Sequence, residues 1–203
     1  MQFKKGSELR LRKSGVGPGR FSILQVHAHN ASEQYMGEVN FRPWAIPNTV
    51  DVMPSSKQGS LIAEAEGLSL GRAYNIHECV EELTTTGNSN LANFNTRSGE
   101  YPYKFVQIGR IEKQPTFHYR EFNFLSVDTG LKSPSIKVKE VQEQPYVQFN
   151  VYLMDQNMTT YPVLTLANIQ RKNKEEWIIL VKEDTPSLLD FRNIFVLVSW
   201  LSK

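Results

Sequence analysis

The side chains best suited to metal or nucleophile chemistry in this 203-residue chain are four histidines and one cysteine. His27 and His29, in the stretch HAH, would share one face of a β-strand, as two ligands of one ion must. His77 and Cys79 stand two apart in HEC, with Glu81 and Glu82 close behind. Together the four side chains could form a His3Cys zinc site. Two features weigh against it. The stretch 71–83 reads as a helix, on which residues two apart do not face each other. Nothing in the sequence brings 27–29 to 77–79. The metal is therefore set aside, and a metal-dependent enzyme using this His/Cys set is the third of three functional readings.

Other chemistry is thinner. The glycines of SGVGPGRFSILQV (14–26) imitate a phosphate loop, but they lead into strand-like residues rather than a helix N-terminus, and Pro18 interrupts the turn. They read as a flexible basic connection or a hairpin. Neither G-x-x-x-x-G-K-[ST], G-x-S-x-G nor H-E-x-x-H occurs. Pairing Cys79 with His118 as nucleophile and base would be arbitrary, and Glu81 and Glu82 read as a solvated helix face. The expectation is a protein that is not an enzyme, with no catalytic residues, no cofactor and no small-molecule substrate.

The elements that would position these groups are mostly strands. In YVQFNVYLM (146–154), Val147, Phe149, Val151 and Leu153 alternate with polar residues, the pattern of a half-buried antiparallel strand. YKFVQIGRIE (103–112), HYREFNFLSV (118–127), SIKVKEV (135–141), ELRLRK, RFSILQVHA and QYMGEVNFR also read as strands. WIILV (177–181) and IFVLVSWL (194–201) are continuous apolar runs suited to strands buried on both faces. PVLTLANIQ (162–170) fits strand or helix. Helices are expected over 71–83 and over 185–193, where Thr185 would cap and Pro186 would open the first turn. Residues 43–60 and 84–102 read as loops. The fold class is mainly β, with eight to ten strands: an antiparallel β-sandwich, jelly roll or barrel with one or two short helices.

Charge is uneven along the chain. Residues 1–20 carry Lys4, Lys5, Arg10, Arg12, Lys13 and Arg20 against Glu8 alone, whereas 21–103 hold four basic and nine acidic residues. This predicts a basic N-terminal arm over 1–20 ahead of a single β-rich domain over 21–203, with a sub-boundary in the 84–102 loop. The start lacks the apolar stretch of a secretory signal, and no run approaches the ~20 apolar residues of a membrane span. An intracellular location, cytoplasmic, nuclear or virion-associated, is expected, with no membrane contact.

Aromatic and basic side chains mix over 103–124: Lys104, Arg110, Lys113, Phe117, Tyr119 and Arg120, beside Phe105. Stacking aromatics among cations suit single-stranded nucleic acid. The sequence VQIGRI, a loop and FNFLSVDTG resemble the opening of an OB-fold, which implies an OB-like half at 103–203 and a nucleic-acid-binding function. The first reading is different. The expected β-rich body, short basic arm, long polar loops and lack of a catalytic set resemble jelly-roll viral or particle-forming proteins. They imply a non-catalytic assembly or interaction subunit that binds protein partners or itself, its arm touching nucleic acid or an acidic neighbour.

Overall fold

The computed structural model describes residues 1–15, 19–27, 31–55, 59–66, 72–81, 103–141, 146–155, 162–186 and 189–202. Twelve strands form one closed antiparallel barrel in which every strand pairs with its sequence neighbours and the last pairs with the first. They are β1 (Glu8–Lys13), β2 (Arg20–Val26), β3 (Glu33–Arg42), β4 (Thr49–Pro54), β5 (Leu61–Ala65), β6 (Ala73–Glu81), β7 (Tyr103–Lys113), β8 (Glu121–Ser126), β9 (Pro134–Glu140), β10 (Gln148–Met154), β11 (Pro162–Arg171) and β12 (Glu176–Val181). A helix, α1 (Phe191–Leu201), follows β12. The expected barrel is present. The sheet closes on itself instead of stacking as two layers, and its simple meander lacks the crossing connections of a jelly roll.

Alternation explains the closure. Leu9 and Leu11 on β1, Phe21 and Ile23 on β2, Phe149 and Val151 on β10, and Trp177 and Ile179 on β12 all point to one buried core. Their neighbours on β1, Glu8, Arg10 and Arg12, face outward and are ion-paired there. An apolar interior under a charged exterior is the reverse of a membrane-spanning barrel. No helix among the described residues is long and apolar enough to cross a membrane.

Twelve strands about 4.8 Å apart and tilted by roughly 40° enclose a backbone diameter of roughly 24 Å. Inward side chains on both sides leave a gap of about 12 Å, the width of one helix with its side chains. α1 fills it. Phe191, Ile194, Phe195, Val196, Leu197 and Val198 have no exposed surface. Trp200 packs edge-on against Tyr74 and Phe122 at the starts of β6 and β8, with ring centroids 4.8 and 5.2 Å away. At the other end Arg192 donates to the carbonyl of Gly59, between β4 and β5, and pairs with Glu78 at 2.7 Å. The helix thus runs along the barrel axis from one rim to the other. Its 11 residues measure about 16 Å, close to the height of a tilted six-residue strand.

IFVLVSWL is the body of α1, not a strand: an apolar run cannot by itself distinguish a buried strand from a helix buried all round. α1 begins at Phe191 with Asp190 as its cap, the carboxylate accepting from the Arg192 amide at 2.9 Å. Thr185 instead ties the N-terminal segment, accepting from Phe3 N–H at 3.1 Å and donating to Phe3 C=O at 2.7 Å. Within the helical stripe expected over 71–83, Ala73–Glu81 form the strand β6, because Tyr74 and Ile76 satisfy a period of two equally well. The stretch 43–60, expected as a loop, contains β4, and β5 follows it. Residues 84–102 lie outside the described residues.

Candidate interaction surface

The basic residues at the start of the chain do not form a free arm. Leu9 and Leu11 are fully buried, which draws β1 into the barrel between β12 and β2 and sets Arg10 and Arg12 on its outer face. Arg10 reaches Glu8 at 2.7 Å and Glu33 at 3.2 Å; Arg12 reaches Glu33 at 2.7 Å and Glu176 at 3.2 Å. Hydrogen bonds from Arg12 hold the Glu33 carboxyl below the usual carboxylate range. Lys5 pairs with Glu183 at 3.0 Å, and Arg20 with Glu38 at 2.6 Å. Lys4 precedes β1 and Lys13 ends it.

The second basic set is scattered in the same way. Arg110 is held by Glu66 and Glu112, and Arg120 meets Glu140 at 2.6 Å. The Arg120 guanidinium also lies 4.9 Å from the Phe149 ring centroid. Hydrogen bonds from Arg120 hold the Glu140 carboxyl down. Lys104 and Lys113 stand at opposite ends of β7. Phe117, 99% exposed, tips the β7–β8 connection, and Tyr119 there lies 4.4 Å from Lys139 Nζ. These residues fall on both rims and several sides of the barrel, and make no continuous stripe. Nor do the strands from 103 onward form a barrel of their own, since β7 pairs back to β6 and β12 to β1.

The histidine set does not assemble. His77 and Cys79 share the outer face of strand β6, which removes the helical objection to them. His27 follows β2, with its Nε2 3.1 Å from Gln34 Oε1, and β3, β4 and β5 stand between it and β6. Those four sheet steps span roughly 19 Å, against zinc–ligand bonds of about 2 Å. His29 lies outside the described residues. Among the described residues no three His, Cys, Asp or Glu side chains are placed to hold a metal.

A cluster and an edge emerge only from the tertiary structure. The cluster is Arg192 with Asp190 and Glu78, at the mouth of the barrel where α1 enters. Burial works to raise the Asp190 carboxyl, but hydrogen bonds from Arg192 outweigh it and leave the group below its ordinary range. Glu78 lies far from Arg192 in sequence and Asp190 only two positions before it, so the trio carried no visible signal.

The edge belongs to β7. Its pairing with β8 runs only from Gly109 opposite Ser126 to Lys113 opposite Phe122, while its pairing with β6 continues to Tyr103 opposite Glu81. Residues 103–108 therefore leave the barrel as one strand of a two-stranded ribbon. Among the described residues, that stretch has no strand on the β8 side. Gly109 stands at the departure point: a Cβ there would lie 2.7 Å from the Leu125 carbonyl oxygen. A bulge follows, where Ile76 faces Gly109 but His77 faces Gln107. On the ribbon Phe105 is 51% and Val106 41% exposed, and Val80 opposite Lys104 is exposed too. The sequence signal was present in the strongly β-forming YKFVQI; which strand would leave it unpaired was not.

No protein-family model matches the chain, and no curated protein is significantly similar to it.

Proposed function

We propose that this protein is a non-catalytic interaction or assembly subunit that engages a protein partner by strand addition along residues 103–108 of β7. The observation carrying the reading is the stretch beyond Gly109, which no strand among the described residues pairs on its β8 side and which bears the exposed Phe105 and Val106. An unpaired edge offers a row of N–H and C=O groups to an incoming extended segment, and alternate side chains give it selectivity. The barrel's interior, where other barrels keep ligands, is occupied by α1, which moves the working surface to the outside. Binding of single-stranded nucleic acid is the weaker reading. Arg10, Arg12, Arg20, Arg110 and Arg120 already face carboxylates of the same chain, and phosphate would have to displace these.

The test is selection of extended peptides from a displayed random library, followed by hydrogen exchange on the complex. Selected peptides with alternating apolar residues should slow exchange at amides within 103–108. Protection elsewhere, with 103–108 unchanged, refutes the assignment.

A further inference from the structure

Resting on the strand-addition reading, we infer that the partner is a second copy of this chain, and that the two β7 edges pair antiparallel about a twofold axis near Phe105. A twofold axis perpendicular to the shared sheet keeps each residue's face, so directly opposed residues must have the same parity. Centring on Phe105 sets the two Phe105 rings side by side and each Lys104 opposite the other copy's Val106, with Gln107 opposite Tyr103. No like charges meet, because Lys104 is the sole charged residue of YKFVQI and its opposite number is apolar. Centring on Lys104 would oppose two ammonium groups, which a cross-strand pair disfavours. Centring on Val106 also brings no like charges together, so the Phe105 register is chosen for the aromatic pair it creates. An aromatic cross-strand pair at its centre is among the favourable ones.

With one residue taken up in the bulge, the stretch from Gly109 to Phe105 matches three steps of β6, from Ile76 to Cys79, so each ribbon extends by about 10 Å and the facing rims stand roughly 20 Å apart. The six-residue stretch combines high β propensity with a single charge, the composition that pairs with its own kind when an edge is left open.

Sedimentation velocity of the full chain over roughly 1–200 µM reads the association, and a reversible, concentration-dependent dimer is expected. Phe105→Lys opposes two like charges at the axis and should weaken the dimer at least tenfold. It alters a side chain already half in solvent, and an unchanged thermal melt will show that the barrel is intact. Phe105→Cys in a Cys79→Ser background places two thiols within disulfide reach across the axis, since opposed Cα atoms lie about 4.5–5.5 Å apart. Mild oxidation should give a covalent dimer. The exposed control Val163→Cys in the same background, on β11 across the barrel, should stay monomeric. A monomer throughout the range, or equal cross-linking in both variants, overturns the inference. If that monomer still shields 103–108 on binding a selected peptide, self-pairing fails while strand addition stands; if it does not, both fail.

Discussion

Deleting residues 191–203 removes α1 and leaves all twelve strands in the chain. A small surface helix would cost little. Here the helix is the centre of the core, and six of its apolar side chains have no exposed surface. At about 1.5–3 kcal/mol for each fully buried side chain, their loss removes roughly 9–18 kcal/mol. Natural domains have only about 5–15 kcal/mol in total. The emptied barrel would also face its inward rings, Tyr74, Phe122 and Phe149 among them, across a gap about 12 Å wide that water would enter. The deletion variant should show no cooperative thermal transition, lose near-UV circular dichroism and bind a hydrophobic dye. A gentler version is Phe195→Ala, expected to cost about 3–5 kcal/mol and to lower the melting temperature by roughly 6–20 °C. A deletion variant that keeps a sharp melt and native near-UV signal, or a Phe195→Ala change under about 1 kcal/mol, refutes the barrel-filling role of the helix.

Arg192→Met leaves Glu78 without its arginine and Asp190 with the Met1 amino group alone, 3.1 Å away, which should cost about 1–3 kcal/mol in urea unfolding. Gly109→Ala forces β7 and β8 apart at Leu125 and should cost about 1–3 kcal/mol by the same assay. Tyr74 is buried against Trp200, and burial pushes its hydroxyl up to about 12. Its folded value lies above the unfolded value near 10, so its contribution of about 2–3 kcal/mol is complete below pH ~10 and is lost as pH rises toward 12. Ultraviolet titration should show this tyrosine ionising only with unfolding. Glu140, Glu176 and Asp190 are held below their ordinary range, so their contributions are present above the unfolded carboxylate values near pH 4 and fall away in stronger acid. Denaturant midpoints should accordingly be flat through neutral pH and drop below about pH 4.

Sequence alone was enough to make the chain mainly β, because a period of two is written wherever one face is buried and the other wet. Leu9 and Leu11, Phe149 and Val151, and Ile136 and Val138 announce their inward face without knowledge of any neighbour. It was equally sufficient to show that no recognised phosphate loop or nucleophile elbow is present. The tertiary structure decided three other matters. IFVLVSWL became a helix because only a closed barrel supplies apolar walls on every side, and such walls satisfy a helix as readily as a strand. The cations of 1–20 and of 103–120 lost their claim to be one binding stripe, because ion pairs form between residues far apart in sequence and strands turn successive residues to different sides. The edge of β7 left unpaired among the described residues appeared because β8 stops pairing at Gly109 while β6 continues, and the length of a neighbouring strand is not encoded in the strand beside it.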